Sequence, residues 1–186
     1  MIYAISGVLQ KLAKTGVTYD HCSTQVDIEP GVAQEVLRWG NAHIPEDILH
    51  NDGKDTKGRE NDIHVTLLYG LTDVNPDDIR RFIPPDMKQI TLRMGLITAF
   101  MDKPEYDVLK IDIESPELLR LHYLLRKSLP NKNSFPTYSP HCTVAYLKKG
   151  EALRYVGDST FRGKMLNVPV IKFCGKTGGK IDIGFE

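Results

Sequence analysis

Apolar residues along the chain follow two spacings, one typical of strands and one typical of helices. Continuous or alternating apolar stretches predict strands near residues 23–28, 64–69, 89–100, 107–113, 141–146, 165–174 and 180–185. Helical spacing predicts helices over residues 32–39 and 116–125, with shorter helical stretches over 75–82 and 150–156. The predicted elements therefore mix strands and helices along the whole chain.

The sequence also contains an internal repeat. The segment 26–30 (VDIEP) recurs 85 positions later as 111–116 (IDIESP), and each copy precedes a predicted helix. The segment 64–69 (HVTLLY) recurs 77 positions later as 141–146 (HCTVAY). Similarity in both motifs and element order indicates a duplication rather than chance matches.

The repeat sets the expected domain organisation. We expect residues 21–186 to form one bilobal domain whose halves cover about 21–106 and 107–186. In such a duplication the final strands can be exchanged between the two lobes. Residues 1–20 have no counterpart in the repeat and are interpreted as an N-terminal extension.

The two His-x-Thr motifs carry the candidate chemistry. Side chains alternate between the faces of a strand, so His64 and Thr66 share one face, as do His141 and Thr143. We expect this polar face to line a cleft. Imidazoles with a pKa of about 6.5 can serve as general base and general acid near neutral pH. Threonine hydroxyls can stabilise charge on a phosphorus centre. The alternative is that both histidines are structural.

No metal or cofactor is predicted, because neither motif is accompanied by a His-x-x-x-His pair or a carboxylate cluster. The three cysteines are too few and too scattered for a disulfide framework. The 24 basic and 24 acidic residues give no net charge, which argues against a long nucleic-acid footprint. A small cyclic nucleotide or a short RNA end is the partner that this composition allows.

The chain shows no sign of membrane contact or export. Its apolar stretches are far shorter than the roughly 20 residues that span a bilayer. The apolar N-terminal residues 2–9 have no basic residue before them, and Lys11 and Lys14 follow, which is the reverse of a secretory signal. We therefore expect a cytoplasmic protein with reduced thiols.

Three further residues are candidates for substrate binding. Alternation leaves Gln25 and Lys110, at equivalent repeat positions, on the polar face, where they can contact phosphate or base. Tyr138, in the segment leading to the second motif, can stack on a base or anchor its loop. The same alternation assigns Tyr69 and Tyr146 to the apolar face, in the core.

The paired motifs, with an aromatic residue five positions after each histidine, resemble those of the two-histidine (2H) phosphoesterase superfamily. The resemblance covers residues 21–186. It implies a bilobal α+β fold in which two pseudo-symmetric antiparallel-sheet lobes with outer helices surround a central cleft. It also implies metal-independent phosphodiesterase activity and places the catalytic roles on four residues, His64, Thr66, His141 and Thr143.

The substrate suggested by the resemblance is a cyclic oligonucleotide. Segments 23–25 and 59–60 resemble phage-encoded members of the superfamily, which include anti-CBASS nucleases that destroy cyclic oligonucleotide alarm signals. Segment 97–104 lacks the glycine-rich, arginine-containing hairpin of bacterial RNA ligase members. The predicted cleavage proceeds through a 2′,3′-cyclic phosphate. RNA end processing, as in cyclic phosphodiesterases and 2′–5′ ligases, and sequestration of a cyclic nucleotide without cleavage are the alternatives.

Overall fold

The computed structural model describes residues 18–51 and 58–185. The predicted extension, residues 1–20, therefore lies almost entirely outside the described residues. The elements are β1 (Cys22–Asp27), α1 (Pro30–His43), β2 (His64–Leu71), α2 (Pro76–Arg80), β3 (Ile90–Phe100), β4 (Tyr106–Glu114), α3 (Pro116–Ser128), β5 (His141–Lys148), β6 (Met165–Val168), β7 (Val170–Cys174) and β8 (Lys180–Gly184), with 3-10 turns at Glu46–Ile48 and Glu151–Arg154.

The eight strands form one curled antiparallel sheet in the order β6-β3-β4-β5-β2-β1-β7-β8. Its two four-stranded halves meet where β2 pairs with β5, at the register pair Val65 and Cys142. Each half takes an inner strand from the other copy of the repeat, since β7 pairs with β1 and β3 pairs with β4. The predicted α+β fold with two antiparallel-sheet lobes is confirmed.

The two long helices begin at local signals and pack on the central strands. A proline lies in the first turn of each, and the side chains of Glu29 and Ser115 accept hydrogen bonds from backbone amides of that turn. Helix α1 contacts β5, and α3 contacts β2 and β3. The helices bury the apolar face of the sheet with a shared set of side chains: Val36, Trp39, Leu118, Leu121 and Leu125.

The predicted long strand over 165–174 is two strands. It divides at Pro169, which has no amide hydrogen to donate to a sheet ladder. β6 then pairs with β3, whereas β7 pairs with β1 in the other half of the sheet. The segment predicted as a single strand therefore contributes one strand to each half of the sheet.

The prediction that Tyr69 and Tyr146 lie in the core is wrong, because each strand contains a β-bulge. The register skips Leu67 relative to β1 and Val144 relative to β4. An extra residue reverses the alternation of side chains beyond it. Both tyrosines therefore lie on the polar face, and Tyr69 is 47% exposed.

Candidate active site

The four side chains of the His-x-Thr motifs surround the junction between the two halves of the sheet. Val65 pairs with Cys142 there, so the antiparallel register sets each histidine beside the threonine of the other motif. His64 and His141 are then diagonal neighbours, a relation in which Cα atoms are about 7–8 Å apart. Val65 and Cys142 are fully buried, whereas the two histidines are partly accessible. The alternation that predicted one polar face therefore holds at this point.

Both imidazoles are held in the same way. Nδ1 of His64 lies 2.5 Å from the carbonyl oxygen of Asp62, and Nδ1 of His141 lies 2.7 Å from that of Ser139. A carbonyl oxygen can only accept, so Nδ1 donates in each case. Proton exchange is thereby assigned to Nε2 of each ring. Two equivalent backbone contacts thus prepare both rings for acid–base chemistry.

The environment of His141 favours its neutral form. Burial lowers the pKa of His141 below its ordinary value of 6.5, although the hydrogen bond to Ser139 acts in the opposite direction. Positive charge on Lys110 lowers it further, and so does charge on His64. Near neutral pH, Nε2 of His141 can therefore accept a proton.

Gln25 and Lys110 lie on the polar face, beside the threonines. Gln25 is the cross-strand partner of Thr66, and Lys110 that of Thr143. The Gln25 amide donates to Asp27 Oδ1 at 2.6 Å, and the buried Lys110 ammonium pairs with the carboxylate of Asp112, the cross-strand partner of His141. Both side chains already have protein partners, and their contact with substrate stays a prediction.

Tyr138 contacts the backbone of the first motif. Its ring stacks on His122 with centroids 3.9 Å apart and planes at 4°, and its hydroxyl donates to the carbonyl oxygen of Thr66 at 2.8 Å. His122 Nδ1 donates to the next carbonyl oxygen, that of Leu67, at 2.6 Å. Burial raises the pKa of Tyr138, so its hydroxyl keeps the proton that it donates. These contacts are those of a loop anchor, and base stacking by Tyr138 stays a prediction.

The sequence interpretation missed two aromatic pairs on the polar face. His21 meets Tyr69 edge to face at 6.1 Å and 72°, and Tyr106 meets Tyr146 at 5.9 Å and 67°. The two pairs occupy equivalent repeat positions, at opposite ends of the central strands β2 and β5, and the polar face between them is here called the groove. The aromatic residue five positions after each histidine was the available signal, but strict alternation assigned it to the wrong face.

The described residues contain neither a cluster of metal ligands nor a membrane-spanning helix. In residues 18–51 and 58–185, no three histidine, cysteine or carboxylate side chains are grouped as ligands for one ion. No helix in the same part of the chain has the length and apolar composition needed to cross a bilayer.

Comparison with known proteins identifies the fold. No family model and no curated protein matches the sequence. Among solved structures, Kluyveromyces marxianus Usb1 with uridine monophosphate is 11% identical, with a TM-score of 0.56 over 88% of this chain and 98% of that one. TT0787 of Thermus thermophilus is 16% identical, with a TM-score of 0.55 over 89% and 95% of the two chains.

A third similar structure is Escherichia coli LigT complexed with ATP, which is 15% identical, with a TM-score of 0.51 over 88% of this chain and 93% of that one. All three share the fold of this chain. At this level of identity the likeness concerns the backbone arrangement. The curled antiparallel sheet, with one His-x-Thr strand contributed by each half, has the 2H phosphoesterase fold.

Proposed function

We propose that this protein is a metal-independent phosphodiesterase that cleaves a small nucleotide by acid–base catalysis. The observation that carries the proposal is the meeting of two equivalently held imidazoles, each with a neighbouring threonine, at the junction of the sheet halves. With a phosphodiester placed between them, one ring can take the proton of the attacking hydroxyl, and the other ring can give a proton to the departing oxygen. Each such proton transfer typically contributes about 10²–10⁴ in rate.

The burial of His141 favours one order of events on a 3′–5′ diester. Neutral His141 removes the proton of the 2′-hydroxyl, whose oxygen attacks phosphorus. Protonated His64 gives its proton to the departing 5′-oxygen as the P–O bond breaks, leaving a 2′,3′-cyclic phosphate. His64, now neutral, deprotonates a water that attacks phosphorus, and His141 returns its proton to the ring oxygen that leaves. Thr66 and Thr143 donate hydrogen bonds to the non-bridging oxygens in both steps.

The substrate that we propose is a cyclic oligonucleotide of the kind used as an alarm signal, cleaved as by anti-CBASS nucleases. The aromatic pairs at the two ends of the groove support a base on each side of the reacting phosphate. A mononucleotide 2′,3′-cyclic phosphate fills only one end. The absence of net charge suits a short ligand. Nucleotides in the similar Usb1 and LigT structures, uridine monophosphate and ATP, are consistent with a nucleotide ligand.

The test is product analysis in excess EDTA on cyclic di- and trinucleotides, 2′,3′-cyclic mononucleotides and 2′–5′ dinucleotides. We expect cleavage of cyclic oligonucleotides, loss of at least 10²-fold in kcat for His64→Ala and for His141→Ala, and resistance of 2′-deoxy analogues. His43→Ala, at the exposed end of α1, is the matched control.

The other outcomes separate the alternatives. Preferred turnover of 2′–5′ dinucleotides or cyclic mononucleotides assigns the site to RNA end processing. Recovery of intact ligand from a tight complex assigns it to sequestration. Full activity of both alanine variants refutes catalysis by the two histidines.

A further inference from the structure

In each half of the groove an aspartate lies beside the histidine, and a lysine lies near that aspartate. The two lysines do not occupy equivalent strands. Asp112 is the cross-strand partner of His141, and its carboxylate pairs with Lys110 of β4. Asp27 is the cross-strand partner of His64, and its carboxylate lies 3.7 Å from Nζ of Lys172 of β7. The two halves thus both place a lysine near the aspartate, on a different strand in each, but the shorter ion pair of Lys172 is with Asp182 of β8, at 2.5 Å.

Between the two halves, the lysine and its uncharged cross-strand partner exchange strands. Lys110 is the cross-strand partner of Thr98, and at the equivalent positions of the other half Gln25 is the partner of Lys172. The uncharged member of each pair hydrogen-bonds the same aspartate as the lysine: Thr98 Oγ1 donates to Asp112 at 2.9 Å. Gln25 Nε2 donates to Asp27 at 2.6 Å. In both halves the carboxylate thus has a neutral donor and a lysine on the two paired strands, with the strands interchanged.

The surroundings of Lys110 leave its charge directed at the protein rather than at a ligand. Its side chain is 5% exposed, and Nζ donates to Thr98 at 2.7 Å and lies 4.4 Å from the centre of the Phe100 ring. That ring meets His141 edge to face at 4.9 Å. In the other half, Lys180 adds a second cation, 3.8 Å from Asp27 and 2.5 Å from Asp62.

We propose that Lys110 is a positioning residue that neutralises Asp112, the aspartate beside the catalytic His141, an inference that rests on the proposed function. An uncompensated carboxylate there would repel the phosphodiester and hold the adjacent imidazole in its protonated form. The charged groups facing His141 are Asp112 and Lys110 from β4 and His64 from β2. Removal of Lys110 leaves Asp112 to raise the pKa of His141, which disables it as a base.

Three variants test this inference. Lys110→Gln should raise the pKa of His141 by about 1 or more, move the acid limb of kcat/KM to higher pH, and lower kcat more than it raises KM. Lys110→Gln with Thr98→Lys places the lysine and the neutral residue as they lie in the other half. This double variant should restore the pKa of His141 and kcat. Lys110→Gln with Asp112→Asn removes the carboxylate together with its cation, and should return the pKa of His141 towards that of the unmodified protein.

The pKa is measured by NMR titration of the His141 ring, and the folding of each variant by thermal melting. Lys103→Gln, which removes an exposed lysine charge, is the matched control. If Lys110→Gln leaves the pKa of His141 unchanged, or if the Asp112→Asn double variant is no closer to the unmodified protein than Lys110→Gln, Lys110 does not act by neutralising Asp112. Because the titration needs no turnover, absence of phosphodiesterase activity refutes the proposed function without deciding this inference.

Discussion

The hydroxyl of Tyr138 offers a direct test of how the first motif is held in place. Tyr138→Phe removes one oxygen and retains the ring that stacks on His122. If Tyr138 anchors its loop, the variant loses the hydrogen bond to the carbonyl oxygen of Thr66. If Tyr138 serves only to stack on a base, the variant keeps the ring that stacks and should behave like the unmodified protein.

The expected size of the effect follows from the contact. The hydroxyl donates at 2.8 Å, and burial keeps it protonated by raising its pKa. Loss of a neutral hydrogen bond whose acceptor stays buried costs about 1–3 kcal/mol of the free energy of unfolding. Because the acceptor belongs to Thr66, part of that loss should also appear in kcat, through misplacement of the Thr66 hydroxyl against the phosphate oxygens.

Urea denaturation gives the free energy of unfolding, and steady-state kinetics gives kcat and KM separately. Tyr123→Phe is the matched control, since Tyr123 is 49% exposed on α3 and also contacts His122 by its ring. A Tyr138→Phe variant as stable and as active as the Tyr123→Phe control would refute the anchoring role.

Two further predictions concern the groove itself. The acid limb of the pH profile of kcat/KM should lie below pH 6.5. His141 can act as a base only while its ring is neutral, and burial lowers the pKa at which the ring becomes charged. An acid limb above that value contradicts the role of His141 as base. Tyr69→Ala should raise KM for a dinucleotide about tenfold, given that base stacking contributes about 1–3 kcal/mol, whereas Tyr69→Phe should not. Equal KM values for Tyr69→Ala and for Tyr123→Ala on α3 would contradict a base contact at Tyr69.

The alternating pattern of a strand correctly predicted the face of a side chain where that face depends only on neighbouring residues in the same strand. The period of two placed His64 with Thr66 and His141 with Thr143 on one face, and the repeat related the two strands. It failed at Tyr69 and Tyr146, because the β-bulges at Leu67 and Val144 arise from pairing with a second strand. A bulge changes the face of every residue after it, yet leaves the local apolar pattern intact.

The roles of the polar residues beside the motifs depended even more on the assembled sheet. Alternation correctly set Gln25 and Lys110 beside the threonines, but the partners that engage Lys110 come from both β3 and β4. Likewise, the partner of Tyr138 is a carbonyl oxygen 72 positions earlier in the chain. Residue types alone do not specify such contacts.

The sequence by itself determined the repeated segments, most of the strands and helices, and the two motifs, because apolar periodicity and repeated segments are properties of the chain read in order. Tertiary structure alone decided that the histidines meet at one strand pair, that two tyrosines turn towards the groove, and that Asp27 faces a lysine from another strand. The physical reason is that register, bulges and ion pairs are set between strands, where hydrogen bonds and charges from distant segments come within reach of one another.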